Sequence, residues 1–529
     1  MGKLNVSSKG RNKTENFEGD VGYKMTPKME LYSTVCVANL EPRFYEKTGD
    51  TIKRIRSLLN KCDPVFVAKL ASYARNKMYL RSVPMVLTAE LAKRHNGDNL
   101  VRKTCAHTIK RVDEITEILG YYSFINKENQ KQMGNGQTKS LCKMSKQMQK
   151  GIADSFHRFD EYQFAKYNRK TAITLKDAMF LTHPKPMDDS EAELFDKIAN
   201  DTLDIPYTWE VEFSKLGQQK FPDEASKQLA FQKKWEELIS SKKLGYMATL
   251  RNLNNMLSNN VDHQHLAMVA SFLGDTNAVQ KSKQLPFRFL SAYRILSGEQ
   301  PSAYGYGKLR LTSSSNPETT MLINSLEDAI KASVENIKGF GYDTRVCIAC
   351  DVSGSMTSSV SQKSTIRMYD IGILLGMILQ LKCKSVITGV FGDTWAKKSL
   401  PQSSILQNTS AMYSLANKVG FSTNGYLVLK DLVDHNIAMD KIMMFTDCQM
   451  WNSRSSAKGE FVRYWSTYKK MYPNAKLYLF NLAGYQTTPI QVESNDVYLI
   501  SGWSDKVFEM LEAIENGSTA IKEIEKISL

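Results

Sequence analysis

Residues 345–355 read RVCIACDVSGS, a short β-rich run that ends at Asp351 and continues into a serine-containing turn. Further short apolar runs follow at 385–391, 441–445 and 476–480, with helical stretches between them. Short apolar strands that alternate with helices are typical of a parallel sheet covered on both faces. The C-terminal part of the chain is therefore predicted to form a doubly wound α/β domain.

The turn after this first strand carries three oxygen-bearing side chains, Asp351, Ser353 and Ser355, at positions i, i+2 and i+4. In an open α/β sheet the loops that follow the carboxyl ends of the strands form the ligand crevice. Oxygen atoms are the ligands that Mg²⁺ and other hard divalent cations take. We expect two further donors from other loops, Thr423 and the strand-end residue Asp447. The sequence thus predicts a site for Mg²⁺ or another divalent cation.

This arrangement resembles a von Willebrand factor A domain with a metal-ion-dependent adhesion site. The resemblance implies that the metal set is Asp351, Ser353, Ser355, Thr423 and Asp447. It also implies a coordination position left for a carboxylate or other oxygen from a partner. In the alternative interpretation, Asp351 and its two serines only cap the following helix. That alternative gives no role to the other two residues of the set.

Upstream of this domain the apolar periodicity is almost entirely helical, from about residue 30 to residue 297. Ile52, Ile55, Leu58 and Leu59 follow the spacing of one buried helical face, and similar patterns recur after short breaks. Successive amphipathic helices with short connections indicate an α-solenoid or a ring of helix pairs.

Composition suggests where the domains begin and end. Residues 1–25 are polar and are predicted to form a mobile arm. Residues 298–319 are rich in Ser, Gly, Pro and Tyr and are typical of a linker. We therefore predict a helical domain over 26–319 and an α/β domain over 320–529.

The chain of 529 residues has a formal net charge of +15, and this charge is unevenly distributed. The window 51–150 contains 20 basic and 7 acidic residues, so it carries +13 of that excess. A basic block inside folded sequence indicates an anionic partner, either nucleic acid or an acidic membrane. The longest apolar run, 371–379, is far shorter than the roughly 20 residues of a spanning helix. Eight scattered cysteines indicate a reducing compartment. We expect a soluble, cytoplasmic protein.

Clustered cations within and just after this window are the candidate RNA-binding residues, since phosphate binding requires such clusters. Several of them recur at helical spacing, and the tyrosines at 121, 122, 162 and 167 lie close to them in the sequence. A lysine stripe at this spacing is also typical of a plain solvated helix face. The scarcity of acids in the same window favours RNA binding. The candidates are Lys103, Lys110, Arg111, Lys139, Lys143, Lys146, Lys150, Lys166, Arg169, Lys170 and Lys176.

Five segments of the helical region, 81–84, 166–170, 175–177, 181–186 and 250–253, resemble the TROVE module. A TROVE module followed by an A-type domain is the arrangement of the Ro ribonucleoprotein family, and the resemblance covers the chain beyond about residue 25. It implies a ring of HEAT-like helix pairs. It further implies that single-stranded ends of misfolded RNAs bind in the hole of the ring, and small Y RNAs on its outer basic face.

Two functional hypotheses follow. The first is a non-enzymatic RNA-binding protein of a ribonucleoprotein complex, with Y-like RNA and misfolded RNA 3′ ends as partners in RNA quality control. The alternative is a magnesium-dependent scaffold that captures the carboxylate of a protein partner, such as a nuclease. The sequence has no GxxxxGK[ST] phosphate loop, no GxSxG elbow and no histidine–carboxylate pair at a useful spacing. We therefore expect no enzyme activity and name no catalytic residue.

Overall fold

The computed structural model describes residues 13–38, 48–132, 144–168, 171–298, 316–334, 343–360, 364, 366–381, 383–401, 404–455, 457–502 and 507–529. The chain divides into two compact units, each built from two segments. Unit 1 comprises Met1–Ile52 and Leu216–Ala520, and unit 2 comprises Lys53–Lys215 and Ile521–Leu529.

Unit 2 is helical. Within it, α3 (Pro64–Asn76) packs against α4 (Ser82–Arg94) and α5 (Leu100–Thr108). Helix α4 also packs against α6 (Val112–Gln132), and α5 packs against α7 (Lys146–Phe156). Pro64 begins α3, and the Asp63 side chain accepts a hydrogen bond from the backbone N–H of Phe66, so the helix starts as its sequence predicts. The helices in or entering this unit are α2 (Thr48–Leu59), α3 (Pro64–Asn76), α4 (Ser82–Arg94), α5 (Leu100–Thr108), α6 (Val112–Gln132), α7 (Lys146–Phe156), α8 (Glu161–Tyr167), α9 (Leu175–Thr182), α10 (Asp189–Ala199), α11 (Trp209–Gly217) and α24 (Ala520–Glu525).

Unit 1 combines further helices with two sheets. Its helices are α1 (Pro27–Cys36), α12 (Glu224–Ser240), α13 (Tyr246–Arg251), α14 (Leu253–Ser258), α15 (His263–Gly274), α16 (Thr276–Ser282), α17 (Pro286–Leu296), α18 (Pro317–Val334), α19 (Met368–Gln380), α20 (Ile405–Val419), α21 (Tyr426–Asp434), α22 (Glu460–Met471) and α23 (Val507–Glu515). Helix α18 packs against α15 and α17 and also against α20. The predicted boundary at 319/320 falls inside this helix, and the boundaries between the domains stay a prediction.

The main sheet of unit 1 has six strands. In spatial order these are β5 (Trp395–Lys397), β4 (Ser385–Phe391), β3 (Arg345–Asp351), β6 (Lys441–Thr446), β7 (Lys476–Asn481) and β9 (Val497–Ser501). All neighbouring pairs are parallel except β4 and β5. Helix α19 packs closely on this sheet, since a Cβ at Gly376 would come within 2.7 Å of Ile348 Cγ2. The predicted fold class, a helical region followed by a doubly wound α/β domain, is confirmed.

Strand order also positions the candidate site. The chain runs from β3 to β4 on one side and later returns to place β6 on the other side of β3. Such a reversal of strand order opens a crevice at the carboxyl ends of the strands. Because β3 ends at Asp351 and β6 ends one residue before Asp447, the sheet brings these two carboxylates to one edge.

The N-terminal segment differs from its prediction as a mobile arm. β1 (Lys13–Glu15) and β2 (Val21–Lys24) form an antiparallel hairpin, and β2 also pairs with β8 (Thr487–Thr488). Asn16, Asp20 and Tyr23 are buried. The arm interpretation is therefore wrong for residues 13–24, because strand partners from the far end of the sequence fix this segment in unit 1.

Candidate metal centre and nucleic-acid interface

Three loops at the carboxyl edge of the main sheet carry the predicted metal set. Asp351 is the last residue of β3, and Ser353 and Ser355 lie in the turn that follows. Asp447 directly follows β6, and Thr423 lies in the loop between α20 and α21. All five side chains are buried. The loops that were predicted to carry the metal ligands therefore lie together at one edge of the sheet.

The Asp351 carboxylate is held by one donor from the turn after β3 and one from the end of β6. Its Oδ1 accepts a hydrogen bond from the Ser353 backbone N–H at 2.9 Å, and its Oδ2 accepts one from the Thr446 hydroxyl at 2.6 Å. The hydroxyl oxygens of Ser353 and Ser355 lie 3.2 Å apart. The side-chain oxygen atoms of Asp351, Ser353 and Ser355 therefore lie close together at the turn after β3. Thr446 was not selected from the sequence, although its position beside Asp447 at a strand end was a usable signal.

The loop that carries Thr423 is fixed to the other two loops through the backbone. The Gly354 N–H donates to the Phe421 carbonyl at 2.9 Å, and the Trp451 N–H donates to the Thr423 carbonyl at 3.2 Å. Thr423 therefore lies between the turn after β3 and the loop after β6. The role of its hydroxyl as a ligand stays a prediction.

Asp447 has one satisfied and one unsatisfied oxygen. Its Oδ1 accepts a hydrogen bond from the Gln449 backbone N–H at 2.9 Å, whereas its buried Oδ2 has no hydrogen-bond partner in the described part of the chain. Burial raises the pKa of both aspartates, and the charge of Asp447 raises that of Asp351 further. Two buried carboxylates with an unsatisfied oxygen fit a cation, because a divalent ion would neutralise both charges and take up the free lone pairs.

The capping alternative for this motif has less support. Residues Gly354–Thr357 form a single 3₁₀ turn, and the Ser353 side chain makes no capping hydrogen bond to it. The motif therefore does not act as a conventional helix N-cap.

In unit 2, some of the candidate RNA-binding residues lie around the end of α5. Lys110 Nζ donates to the Ala106 carbonyl at 3.0 Å, and Arg158 donates to the same carbonyl at 2.9 Å. Burial lowers the pKa of His107, and the charges of Lys110 and Lys103 lower it further, so both cations lie near this ring. Arg158 was missed from the sequence because only tertiary packing brings it to α5.

Two further candidate RNA-binding residues, Arg111 and Lys166, lie close to the ring of Tyr167. The Arg111 guanidinium carbon lies 4.3 Å from the centre of the Tyr167 ring, and Lys166 Nζ lies 5.9 Å from it. Lys166 Nζ is also 5.6 Å from the ring of Tyr162, whose exposed fraction of 46% leaves it accessible. Arg111 is also paired with Asp113 at 2.9 Å. Cations and an exposed aromatic ring thus occur side by side, as in sites that bind single strands.

The remaining candidate RNA-binding residues differ in exposure, and some of them lie outside the described residues. Lys146 and Lys150 are exposed on α7, one turn apart. Of the predicted stripe over 139–150, only Lys146 and Lys150 share a described helix, because α7 begins at Lys146, after the non-helical Ser145. Lys176 lies half-buried in the first turn of α9. Four of the candidates lie outside the described residues: Lys139, Lys143, Arg169 and Lys170.

Two of the four tyrosines close to the candidate RNA-binding residues have a buried or half-buried ring. Tyr122 is buried beneath Lys93, whose Nζ lies 4.0 Å from the centre of the ring. The Tyr121 hydroxyl donates to Glu90 at 3.2 Å, and this ring is half-buried. Tyr122 is therefore a core residue, and the Tyr121 hydroxyl is held at α4 by its hydrogen bond to Glu90.

Comparisons with known proteins agree with this architecture. The family model for the TROVE domain matches residues 26–234 and 202–300, which together span more than half of the chain. The chain belongs to the TROVE family. In this TROVE protein the model for the Ro60 vWA domain matches residues 345–514, so the predicted resemblance to the Ro family is confirmed.

Curated relatives and a solved structure add to this finding. Telomerase protein component 1 of Mus musculus is 23% identical over 376 residues, and the Rattus norvegicus protein of the same name is 24% identical over 386 residues. Each match covers 56% of the TROVE protein but 14% of the relative, so the chain spans about one seventh of these relatives' length. The crystal structure of the Deinococcus radiodurans RO (RSR) protein superimposes with a TM-score of 0.58 at 16% identity. That superposition covers 93% of this chain and all of the other, and it supports the fold.

Proposed function

We propose that this TROVE protein is a non-enzymatic, RNA-binding subunit of a ribonucleoprotein complex. Its ligands would be small noncoding, Y-like RNA and the single-stranded 3′ ends of misfolded RNA, and its role RNA quality control. The observation that carries the proposal is the cluster of Lys103, Lys110 and Arg158 at the end of α5, inside the region matched by the TROVE model.

The chemistry of this surface fits a flexible strand better than a defined base sequence. Cations bind phosphates, and phosphate contacts position a strand without reading its bases. An exposed aromatic ring such as Tyr162, flanked by Lys166, stacks on any base because every base has a π-face. The proposed ligand is therefore recognised by charge and by an accessible single strand.

The test is RNA binding by the full chain, measured by fluorescence anisotropy over a range of salt concentrations. The double variant Lys103→Glu/Lys110→Glu should weaken binding and flatten the salt dependence, since each lost phosphate contact with a single strand lowers the slope by about 0.7. The matched control is Lys227→Glu/Lys281→Glu, which makes the same charge change on exposed helices of unit 1. Equal loss in both variants would indicate a general effect of net charge and would contradict the proposal.

We further propose that the sheet edge of unit 1 holds Mg²⁺ or another divalent cation through Asp351, Ser353, Ser355, Thr423 and Asp447. The unsatisfied Oδ2 of Asp447 supports this assignment. When bound, the cation would supply a positive centre for an oxygen ligand. This supports the second candidate function, a scaffold that captures the carboxylate of a protein partner such as a nuclease. Asp447→Asn should abolish metal-dependent partner binding and leave RNA affinity unchanged.

We propose no catalysis at this centre. The groups that contact Asp351 and Asp447 through the described hydrogen bonds are hydroxyls and backbone amides, and none of these is a general base at neutral pH. Labelled RNA should remain intact when incubated with the purified chain and Mg²⁺. Cleavage that is lost in Asp447→Ala would overturn this proposal.

The cellular location that we propose is the cytoplasm. The seven described cysteines are all free and buried, as suits a reducing compartment. None of the helices in the described ranges combines the length and apolar composition that crossing a membrane requires.

A further inference from the structure

A histidine and two carboxylates from two helices of unit 1 lie together at the start of α15. Glu236 lies on α12, Asp262 directly precedes α15, and His265 lies in the first turn of α15. Helices α12 and α15 pack against each other, which closes the distance between residues that are far apart in the sequence. One oxygen atom of each carboxylate and one ring nitrogen of the histidine all lie within 4.8 Å of one another.

The imidazole ring of His265 is held between two oxygen atoms of this cluster. Its Nδ1 lies 2.8 Å from Asp262 Oδ1, and its Nε2 lies 3.0 Å from the hydroxyl oxygen of Ser240. Ser240 lies on α12, one turn after Glu236. The ring is therefore oriented by both helices, and its side chain is 20% exposed, so an ion can reach it from solvent.

Both carboxylates are also held by hydrogen bonds. Asp262 Oδ1 accepts the backbone N–H of His265 at 2.9 Å, as the N-cap of α15. Glu236 Oε1 accepts the side-chain amide of Gln232 at 2.9 Å and the backbone N–H of Asp262 at 3.3 Å. Hydrogen bonds of this kind orient the carboxylate and imidazole ligands of metal sites.

The two carboxylates have no strong cationic partner. In the described part of the chain, no lysine or arginine forms an ion pair with Glu236 or Asp262, and Lys234 on the same helix as Glu236 pairs with Glu237 at 2.7 Å. The ion-pair partner of Asp262 is His265, which is charged only when it is protonated. A divalent cation would neutralise both carboxylates and would also bind the neutral imidazole.

We propose that Glu236, Asp262 and His265 form a second metal site, which takes Zn²⁺ or a similar transition-metal ion and joins α12 to α15. An imidazole ligand favours such an ion over Mg²⁺, which prefers oxygen ligands alone. Zn²⁺ takes one histidine nitrogen and two carboxylate oxygens at about 2 Å, so small rotations of these side chains bring all three onto one ion. The proposal depends neither on RNA binding nor on the proposed cation site at the sheet edge.

The test uses Zn²⁺ alone, titrated calorimetrically into the full chain that carries Asp447→Asn, because this substitution disables the proposed sheet-edge site. This chain should bind one Zn²⁺ and should melt at a higher temperature with the ion bound. Asp262→Asn and His265→Gln should each lower the Zn²⁺ affinity at least about tenfold. Asparagine is also a good N-cap, so α15 keeps its start in the first variant. The matched control is Asp275→Asn, which makes the same change at the N-cap of α16, where the side chain accepts the Ala278 N–H at 2.7 Å.

The outcomes are distinct. Weaker Zn²⁺ binding in Asp262→Asn and His265→Gln, with the affinity of Asp275→Asn unchanged and the helical circular dichroism of all variants equal, supports the site. A chain with Asp447→Asn that binds no Zn²⁺ would overturn it. Unchanged affinity in both site variants would do the same, because the ion would then bind elsewhere. Losses of equal size in Asp262→Asn and Asp275→Asn would also contradict it, since they would reflect net charge or capping alone.

Discussion

Arg294 and Asp370 form a bidentate, buried salt bridge within unit 1. The Nη1–Oδ2 and Nη2–Oδ1 distances are 2.8 and 2.9 Å, and the exposed fractions of the two side chains are 6% and 1%. Arg294 lies on α17, the last helix of the region matched by the TROVE model, and Asp370 lies on α19, which packs on β3. The end of the TROVE region is therefore joined to the α/β domain inside one compact unit.

The first prediction concerns this pair. Asp370→Asn should lower the free energy of unfolding by about 3 kcal/mol, because it leaves a buried guanidinium without its counter-charge. Urea denaturation monitored by circular dichroism measures the change. The matched control is Asp440→Asn, which breaks the half-exposed pair with Arg345 at 2.6 Å and should have little effect. Equal losses of unfolding free energy in the two variants would show that the buried Arg294–Asp370 pair stabilises the fold no more than the half-exposed pair does.

The second prediction is a pH dependence of the metal-free protein. Burial raises the pKa of Asp351 and Asp447, so the folded state holds their protons more tightly than the unfolded state. The free energy of unfolding should therefore fall as the pH rises above the ordinary aspartate pKa of about 4. Mg²⁺ should restore the loss at neutral pH and have little effect in acid, where protons compete with it. Thermal denaturation with EDTA or MgCl₂ at several pH values measures both effects, and a pH-independent Mg²⁺ effect would contradict the prediction.

The third prediction concerns Asp447 alone. Asp447→Asn should stabilise the metal-free protein at pH 7 by roughly 1 kcal/mol, because it removes one of two buried like charges. It should also abolish the shift of the melting temperature caused by Mg²⁺. Asp431→Asn serves as the control, since Asp431 accepts a hydrogen bond from Trp395 and pairs with Lys397 at 2.8 Å. Its loss should destabilise the protein and leave the Mg²⁺ shift intact.

The fourth prediction tests Arg158. Arg158→Gln should reduce the affinity for single-stranded RNA and lower the slope of log affinity against log salt by about 0.7, the amount expected for one phosphate contact with a single strand. The control is Arg463→Gln, which removes an exposed arginine of α22 in unit 1 and should leave the slope unchanged. Filter binding at several salt concentrations gives both slopes. Identical slopes in Arg158→Gln and the parent chain would remove Arg158 from the interface.

The fifth prediction separates stacking from charge. Tyr162→Ala should weaken binding of single-stranded RNA by about 1–3 kcal/mol, the range for loss of one stacked base, and leave a blunt duplex unaffected. Tyr162→Phe keeps the ring and should bind as the parent chain does. Loss of affinity in both variants would point instead to the hydroxyl and would contradict stacking.

Local patterns in the sequence were sufficient to predict the α/β domain and that the loops of the proposed metal centre lie at one edge of its sheet. Each strand and the turn after it are continuous in sequence, and parallel strands bring their carboxyl ends to one edge whatever the intervening helices do. The DVSGS turn and Asp447 are therefore recognisable without coordinates.

Contacts between distant parts of the chain were not predictable in the same way. β1 has three residues and a polar sequence, so it was interpreted as part of an arm, yet β2 of the same hairpin pairs with β8. Arg158 reaches α5 only through tertiary packing, and the hydrogen bond between Phe17 of the hairpin turn and Gln449 also joins distant parts of the chain. The break before α7 was also missed, because lysines at helical spacing continue across it.

The hydrogen bond between Asn16 and Met450 joins residues 434 positions apart. During translation the ribosome releases the first hairpin long before the loop that receives it has been made. The newborn chain must therefore carry this short polar hairpin without its partner loop while the residues between them are made. The contacts of this hairpin with the loop after β6 and with β8 are accordingly among the last tertiary contacts that the growing chain can complete.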